Sequence, residues 1–317
     1  MSNIDISKFE NKRILVVGDI MLDEFLYTTF NKNSPEYMDV PVLSIQEKKQ
    51  YLGGAANVAL NIKKLKAIPY LVGSVGNDSS SEKIYELLHK NDLTNEYVFT
   101  NHQQKTTTKT RVFQHGNPVA RIDEDASLES MTEIVYQFLL KNIRAAITHH
   151  KPHAVILQDY NKGVLNEFLI KEILQLAKEH KLLVCVDPKF KNWNLYNDVD
   201  LFKPNLSEFE FMCDSKADLE KNARSLQQKI KFRNLLVTLG ADGNFIFDGN
   251  KSQISNLKSQ IQNPDVCGAG DTVIAVATLG LLCGFPLEEI AKLANKAGAA
   301  VCRKENVQPV SFDDLLK

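Results

Sequence analysis

The stretch Asn263-Pro-Asp-Val-Cys-Gly-Ala-Gly-Asp-Thr-Val-Ile-Ala-Val-Ala-Thr278 joins a turn signal, a glycine-containing loop and an apolar, alanine-rich run. The run predicts a helix that begins directly after Gly268-Ala269-Gly270. Glycines before a helix start let backbone N–H groups converge without Cβ obstruction, and the positive end of the helix dipole adds to them. The stretch therefore predicts an anion site, with a phosphate group in transfer as its ligand.

Asp271 lies at the mouth of this predicted anion site. A carboxylate there would repel a phosphate, but it could take a proton from a hydroxyl that attacks the phosphate. The alternative is an ordinary loop with Asp271 as a helix N-cap, since Asp is a favoured cap and glycine-rich loops before helices are common. The stretch alone leaves both interpretations open.

The composition limits the classes of function. The 317 residues are 44% apolar and 24% charged, as in ordinary globular enzymes, and the net charge of −1 gives no electrostatic reason to expect nucleic acid or an anionic membrane as partner. No apolar run approaches membrane-spanning length, and the N-terminus lacks a signal-peptide pattern. Five scattered cysteines without CxxC spacing predict a reducing, cytoplasmic location with neither disulfides nor a zinc site.

Apolar runs that end in polar residues alternate with helical patterns such as Leu128–Ile147. This spacing predicts an α/β fold with a doubly wound, mainly parallel sheet and helices on both faces. No repeat or linker divides the chain, so we expect one domain over residues 1–317. Ligands bind at the carboxyl edge of such sheets, and five polar strand-end residues mark that edge: Asp19, Asp159, Asp187, Asn205 and Thr238.

Two strand-rich segments interrupt the alternation, at about residues 25–52 and 106–122. The second contains a hairpin signal, because His115-Gly-Asn-Pro118 separates two runs of β-forming residues. A small sheet has exposed edges and an uncovered face, which a ligand, the core or a second subunit must cover. We therefore expect a small β-sheet lid and a homodimer formed through it.

Two motifs relate the chain to a known family. Gly53-Gly-Ala-Ala-Asn57 and Asp265-Val-Cys-Gly-Ala-Gly-Asp271 resemble the signatures of the ribokinase-like (PfkB) carbohydrate kinases, and the resemblance covers nearly the whole chain. Val266 stands where the family usually has Thr. The resemblance implies an ATP-dependent sugar kinase with four catalytic residues: Gly268, Ala269 and Gly270 in the anion hole, and Asp271 as the base.

The nucleotide side is implied by two further motifs. Pro204-Asn-Leu-Ser-Glu208 resembles the family's Asn-x-x-Glu motif, and Thr238-Leu-Gly-Ala-Asp-Gly243 resembles its ATP-site strand and turn. The resemblance implies that Glu208 holds Mg²⁺, through water, and that members often respond to K⁺, which no residue here decides. The residues implied to bind MgATP are Asn205, Glu208, Thr238, Gly240, Gly243 and Asn295.

Within the family, Gly18-Asp-Ile-Met-Leu-Asp23, Asp159-Tyr-Asn-Lys-Gly163 and Asp187-Pro-Lys189 resemble the bacterial heptose-phosphate kinases. These phosphorylate the C1 hydroxyl of D-glycero-β-D-manno-heptose 7-phosphate for lipopolysaccharide precursor synthesis, and their bifunctional form adds a nucleotidyltransferase (ADP-heptose synthase) part. The chain ends at kinase length, so we expect kinase activity only. Ser34-Pro-Glu-Tyr-Met-Asp-Val-Pro-Val42 departs from the usual Ser-Pro-Glu-Ala-Pro-Val-Pro-Val. The implied sugar site is Asp19, Asp23, Gly53, Gly54 and Asn57.

Three basic residues favour a phosphorylated sugar. Lys162 and Lys189 follow strand ends on the ligand edge, and Arg121 lies on the predicted lid. A sugar phosphate is well served by such cations, whereas a neutral sugar needs few. The alternative is that they are solvated surface charges, as most exposed Lys and Arg are.

Other functions remain to be weighed against this prediction. The main alternative is another kinase of the family acting on ribose, fructose, a fructose phosphate or a nucleoside, and a non-catalytic sugar-binding protein of the same fold would be expected to lack the base. An oxidoreductase is disfavoured because no Gly-x-Gly-x-x-Gly follows the first strand. A P-loop enzyme is disfavoured because the chain has no Gly-x₄-Gly-Lys-Ser/Thr.

Overall fold

The computed structural model describes residues 4–37, 39–213, 218–256, 261 and 264–316. The strands in these residues are β1 (Arg13–Gly18), β2 (Ile20–Asn33), β3 (Pro41–Gly54), β4 (Ile68–Val75), β5 (Val98–Thr100), β6 (Thr108–Gln114), β7 (Asn117–Glu124), β8 (Ala154–Gln158), β9 (Leu183–Asp187), β10 (Leu201–Phe202), β11 (Asn234–Thr238), β12 (Asn244–Phe247) and β13 (Ser252–Ser255). The α-helices are α1 (Ala55–Lys64), α2 (Ser79–Lys90), α3 (Glu133–His150), α4 (Glu167–His180), α5 (Leu206–Cys213), α6 (Leu219–Ile230), α7 (Ala269–Leu282), α8 (Leu287–Cys302) and α9 (Phe312–Leu316).

The large sheet has the strand order β13-β12-β11-β10-β9-β8-β1-β4-β5 within the described residues. Pairing is parallel from β5 to β11, and β12 and β13 add antiparallel strands at one edge. The central strand β1 is buried on both faces, since Ile14 and Val16 pack in one hydrophobic cluster and Leu15 and Val17 in the other. Such continuous apolar runs are typical of parallel sheets covered on both sides. The predicted doubly wound α/β fold is confirmed.

The two faces of this sheet carry different helices. Helices α1, α2, α7 and α8 contribute to one cluster, and α3, α4, α5 and α6 contribute to the other. Helix α7 is buried without interruption from Asp271 to Gly280 and packs against α1 and α8. A helix that is apolar all round belongs in the core. Its burial fixes the position of its N-terminus, which matters for the site below.

The second sheet has the order β3-β2-β6-β7 within the described residues and corresponds to the predicted lid. Its strands extend beyond the predicted segments, since β2 begins at Ile20 and β7 ends at Glu124. The inner half of β2 is buried and its outer end exposed, while β7 is exposed along its whole length. The inner end of the lid is therefore part of the core, and only Asp19 separates β2 from β1.

Candidate active site

The first turn of α7 has the backbone that an anion site requires. Gly268 is the N-cap residue with φ of 75°, and a Cβ there would lie 2.6 Å from Asn57 Nδ2. Only glycine combines that left-handed backbone with such a close neighbour. First-turn N–H groups have no intrahelical acceptor and can therefore serve a ligand, although that of Ala269 donates here to the Val266 backbone oxygen at 3.3 Å. Asn263, the first residue of the predicted turn, lies outside the described residues.

Asp271 is held in the third position of α7 and its side chain does not cap the helix, so the N-cap alternative is wrong. Its buried carboxylate accepts three hydrogen bonds: Asn57 Nδ2 donates to Oδ2 at 2.8 Å, and Gln158 Nε2 and the Tyr160 hydroxyl donate to Oδ1 at 3.0 and 2.8 Å. Burial raises the pKa of Asp271 to about 7; the Asn57 hydrogen bond lowers it and the nearby Asp187 charge raises it. A carboxylate with a pKa near neutrality suits general-base chemistry.

Asp19 is buried at the end of β1, where it organises the loop after β8. Its carboxylate accepts the backbone N–H groups of Tyr160, Lys162 and Val164 at 2.8, 3.0 and 3.0 Å. Burial and the neighbouring Asp159 raise the pKa of Asp19 to about 6, against the effect of these hydrogen bonds. The loop that Asp19 holds places the Tyr160 hydroxyl against Asp271. The contact of Asp19 with a sugar stays a prediction.

Two glycines bring the sugar-side residues together. A Cβ at Gly53 would lie 2.3 Å from Asp23 Oδ2, and one at Gly54, where φ is 57°, would lie 2.3 Å from the backbone oxygen of Asp19. The end of β3 can therefore pass close to both aspartates and lead directly into α1, which delivers Asn57 to Asp271. Asp23 pairs with Arg111 at 2.7 Å, a partner that the sequence did not indicate.

The three predicted substrate cations are all paired with carboxylates. Arg121 is exposed on β7 and binds Asp123 through two hydrogen bonds of 2.8 and 2.6 Å, and Lys162 binds Asp125 at 2.6 Å. Lys189 contacts Glu208 and lines a large cleft on the predicted nucleotide side. The structure thus groups Lys189 with the nucleotide residues rather than with the sugar residues.

The cleft at the carboxyl edge of the sheet has a volume of about 820 Å³, in the usual range for small-molecule sites. Asn205 and Glu208 cap each other within it: the Asn205 N–H donates to Oε2 of Glu208 at 2.8 Å, and the Glu208 N–H donates to Oδ1 of Asn205 at 2.9 Å. Asn295 donates to the backbone oxygen of Ser255 at 2.6 Å. All six residues predicted to bind MgATP line this cleft, together with Ala269 and Gly270: Asn205, Glu208, Thr238, Gly240, Gly243 and Asn295.

Sequence reasoning missed the part played by three residues: Gln158, Tyr160 and Lys203. Lys203 lines the cleft, is 2% exposed and pairs with Asp187 at 3.0 Å. Its Nζ would lie 3.7 Å from a Cβ placed on Gly270, which puts a cation beside the first turn of α7. The sequence does place Lys203 directly after the apolar strand residues Leu201 and Phe202. Because fully buried lysines are rare unless paired, this position could have indicated a paired, functional lysine.

Two negative findings apply to the described part of the chain. Within it, no helix has the length and apolarity needed to cross a bilayer. In the same residues, no group of three or more His, Cys, Asp or Glu side chains is arranged to hold a metal ion.

The comparison with known proteins gives the family. The sequence profile of the pfkB family carbohydrate kinases matches residues 11–314. The chain belongs to the pfkB family of carbohydrate kinases. It is 36% identical over 315 residues to the bifunctional protein HldE of Coxiella burnetii (strain Dugway), covering 98% of this chain and 64% of that protein. It is 35% identical over 311 residues to HldE of Helicobacter pylori (strain G27), covering 96% of this chain and 65% of that protein. The chain therefore spans slightly under two thirds of these curated relatives.

Solved structures confirm the ribokinase-like fold. Phosphofructokinase-2 from Escherichia coli, in complex with substrates and products, superposes with a TM-score of 0.78 at 18% identity over 96% of this chain and 97% of its own. Arabidopsis thaliana ribokinase, complexed with ribose and ATP, gives 0.74 at 19% identity over 97% of this chain and 98% of its own. At these identities the likeness concerns the fold.

Proposed function

We propose that this pfkB-family kinase transfers a phosphoryl group from MgATP to the C1 hydroxyl of D-glycero-β-D-manno-heptose 7-phosphate. The observation that carries the reaction type is the position of Asp271, a buried carboxylate in the first turn of α7, beside a nucleotide-sized cleft. The heptose-kinase motifs support the substrate, and the match to HldE proteins extends over nearly the whole chain.

In this proposal Asp271 is the general base. The substrate hydroxyl gives its proton to the Asp271 carboxylate while its oxygen forms a bond to the γ-phosphorus. The bond from that phosphorus to the β–γ bridging oxygen breaks, and ADP leaves with the electron pair. The N–H groups of Gly268, Ala269 and Gly270 stabilise the charge on the transferring group. Asp19, Asp23, Gly53, Gly54 and Asn57 hold the sugar.

The cleft lies on the other side of the transferring phosphoryl group in this proposal and would hold MgATP. Lys203 lies beside Gly270, so its ammonium group would contact the γ-phosphoryl oxygens. The carboxylates of Asp187 and Glu208, next to Lys189 and Lys203, suit a metal–phosphate complex, because Mg²⁺ takes few protein carboxylates and keeps several waters. Glu208 would hold Mg²⁺ through water, since its own oxygens are occupied by Lys189 and the Asn205 N–H. When bound, Mg²⁺ neutralises part of the phosphate charge.

A kinase acting on a neutral sugar is the second candidate. It is favoured by the pairing of Arg121 with Asp123 and of Lys162 with Asp125, because a sugar phosphate must compete with those carboxylates. A response to K⁺ is suggested by phosphofructokinase-2 of Escherichia coli, one structure of which is a complex with potassium. Rates measured with KCl and with a tetramethylammonium salt test whether this chain responds to K⁺.

The deciding experiment measures ADP release with MgATP and a panel of heptose 7-phosphate, fructose 6-phosphate, ribose, fructose and adenosine. Turnover with the heptose phosphate alone supports the substrate assignment. Arg121→Ala and Lys162→Ala then raise KM for that sugar, whereas Arg144→Ala, which removes an exposed ion pair between α3 and α4, does not. Turnover only with a neutral sugar rules out the phosphate-binding role of these cations and leaves the reaction type intact.

A further inference from the structure

Gln158, the last residue of β8, occupies an unusual position between two carboxylates. Its side chain is fully buried, and its Nε2 donates to Asp271 Oδ1 and to Asp187 Oδ2, at 3.0 Å in each case. These contacts fix which way the amide points, because its carbonyl oxygen would be repelled by two ionised acceptors. Its Oε1 is the one buried side-chain oxygen or nitrogen in the described residues that lacks a hydrogen-bond partner.

The hydrogen bonds to Asp271 are unevenly divided between its two oxygens. Oδ1 accepts from Gln158 and from the Tyr160 hydroxyl, whereas Oδ2 accepts from Asn57 alone. An ionised carboxylate has about four acceptor positions, two on each oxygen. Oδ1 is therefore saturated, and the remaining lone pair is on Oδ2.

We propose that Gln158 and Tyr160 are positioning residues that saturate Oδ1 of Asp271 and leave Oδ2 as the atom that receives the proton of the substrate hydroxyl. This inference rests on the proposed role of Asp271 as the base. The proton moves from the substrate oxygen to Oδ2 as that oxygen bonds to phosphorus, and ADP departs with the electrons of the broken P–O bond. Neither positioning residue gains or loses a proton.

A purely structural role would not select glutamine at the end of β8. The rest of that strand is buried and apolar, and an apolar side chain at residue 158 would leave no unpaired acceptor in the core. The amide does what an apolar group could not: it joins Asp271 to Asp187, which in turn pairs with Lys203. We expect Gln158→Met to fold, at a modest cost in stability because each of two buried carboxylates loses one donor, and to be a poorer enzyme.

The pH profile separates positioning from a general loss of structure. The charged and titratable groups that surround Asp271 are Asp23, Tyr160, Asp187 and Lys189, with Lys203 paired to Asp187. Removing one donor leaves this set of charges unchanged but weakens the stabilisation of the carboxylate, so its proton affinity rises. In Gln158→Met and Tyr160→Phe, kcat should fall about tenfold and the acid limb of the kcat profile should move up by about half a pH unit or more. KM for ATP should change by less than about twofold, since neither side chain is proposed to bind phosphate.

The test compares wild type, Gln158→Met, Tyr160→Phe, Asp271→Asn and Gln175→Met. The last makes the same substitution at an exposed site on α4 and should match the wild type. If Asp271→Asn keeps its turnover, the proposed base is wrong. If Asp271→Asn is inactive but Gln158→Met and Tyr160→Phe keep the wild-type kcat and pH profile, the positioning role is wrong. Should Gln158→Met fail to fold by circular dichroism, its expected stability is refuted and Tyr160→Phe decides the positioning role.

Discussion

At the scale of one residue, the burial of Asp271 makes the stability of the fold depend on pH. Its pKa is raised to about 7, mainly by burial, so the folded state binds this proton more tightly than the unfolded state does. A raised carboxyl pKa contributes stability that is complete below the unfolded pKa and is lost as the pH rises through about 7. At alkaline pH the fold therefore carries a buried charge, which lowers its stability.

We expect the stability of Asp271→Asn relative to the wild type to rise by about 2 kcal/mol between about pH 5 and about pH 8. The reason is that asparagine removes the buried charge, while at low pH the wild-type carboxyl is already neutral. Urea denaturation of both proteins at the two pH values measures the difference. Equal effects of the substitution at both values would show that the carboxylate does not carry the charge inferred here.

The site residues that could be predicted have their evidence in neighbouring residues of the chain, whereas those that were missed depend on contacts between distant segments. Asp271 and its glycines stand together in the chain and could be predicted as a unit. Gln158 lies 113 residues from Asp271, and no local pattern says which strand end will meet the start of α7. Lys203 acquires its position only when β10 pairs beside β9, which places it against Asp187.

At the scale of an element, the first turn of α7 offers two glycines with different tasks. Alanine at 268 meets a φ of 75° and an Asn57 nitrogen 2.6 Å away, whereas alanine at 270 meets only ordinary contacts of 3.7 and 3.9 Å with Lys203 and Asp187. We expect Gly268→Ala to lose about 1–3 kcal/mol of stability as well as activity. Gly270→Ala should fold normally but turn over slowly, because its methyl group would occupy the space proposed for the transferring phosphoryl group. Thermal melts and steady-state kinetics test the pair; equal melting temperatures would contradict the strain at Gly268.

The same scale shows where element boundaries could be predicted. The start of α7 was predicted two residues too late: glycines mark it, but the helix begins at Ala269 and includes Gly270. The end of β1 was predicted correctly, because the polar Asp19 follows its apolar run. Helix α3 was predicted over Leu128–Ile147 but runs over Glu133–His150. The apolar pattern was continuous there, yet Ser127 accepts the Glu129 N–H and starts a separate 3₁₀ turn. The Ser127 cap ends the helical pattern before α3 begins, and the spacing of apolar residues gives no sign of such a cap.

At the scale of the whole molecule, hydrogen bonds tie the lid to the segment that follows α8. The Tyr27 hydroxyl on β2 donates to Asn306 Oδ1 at 2.7 Å, and the Asn306 N–H donates to Asp265 Oδ2 at 2.8 Å, close to the anion-hole loop. Asp19 makes the other link, between β1 and the loop that carries Tyr160. Hydrogen bonds thus join the lid to the loop that precedes α7, and join β1 to the loop whose Tyr160 contacts Asp271.

The outer part of the lid also predicts an assembly. Phe30, Ile45, Val119 and Ile122 are exposed apolar residues on its strands, and β3 and β7 are its edge strands. Such a surface is typical of an interface. We therefore expect light scattering to give twice the chain mass of 35.7 kDa at micromolar concentration.

The combined variant Ile45→Lys and Ile122→Lys should bring the mass to that of a monomer and reduce activity, because the lid would lose the partner that holds its outer strands. Ile134→Lys on α3 is the control, since Ile134 is the more exposed residue at 68% yet lies outside the lid. A wild-type monomer would refute the dimer, and a double variant that keeps the doubled mass would place the interface outside the lid. The exposed strands would then need the sugar, rather than a second subunit, to cover them.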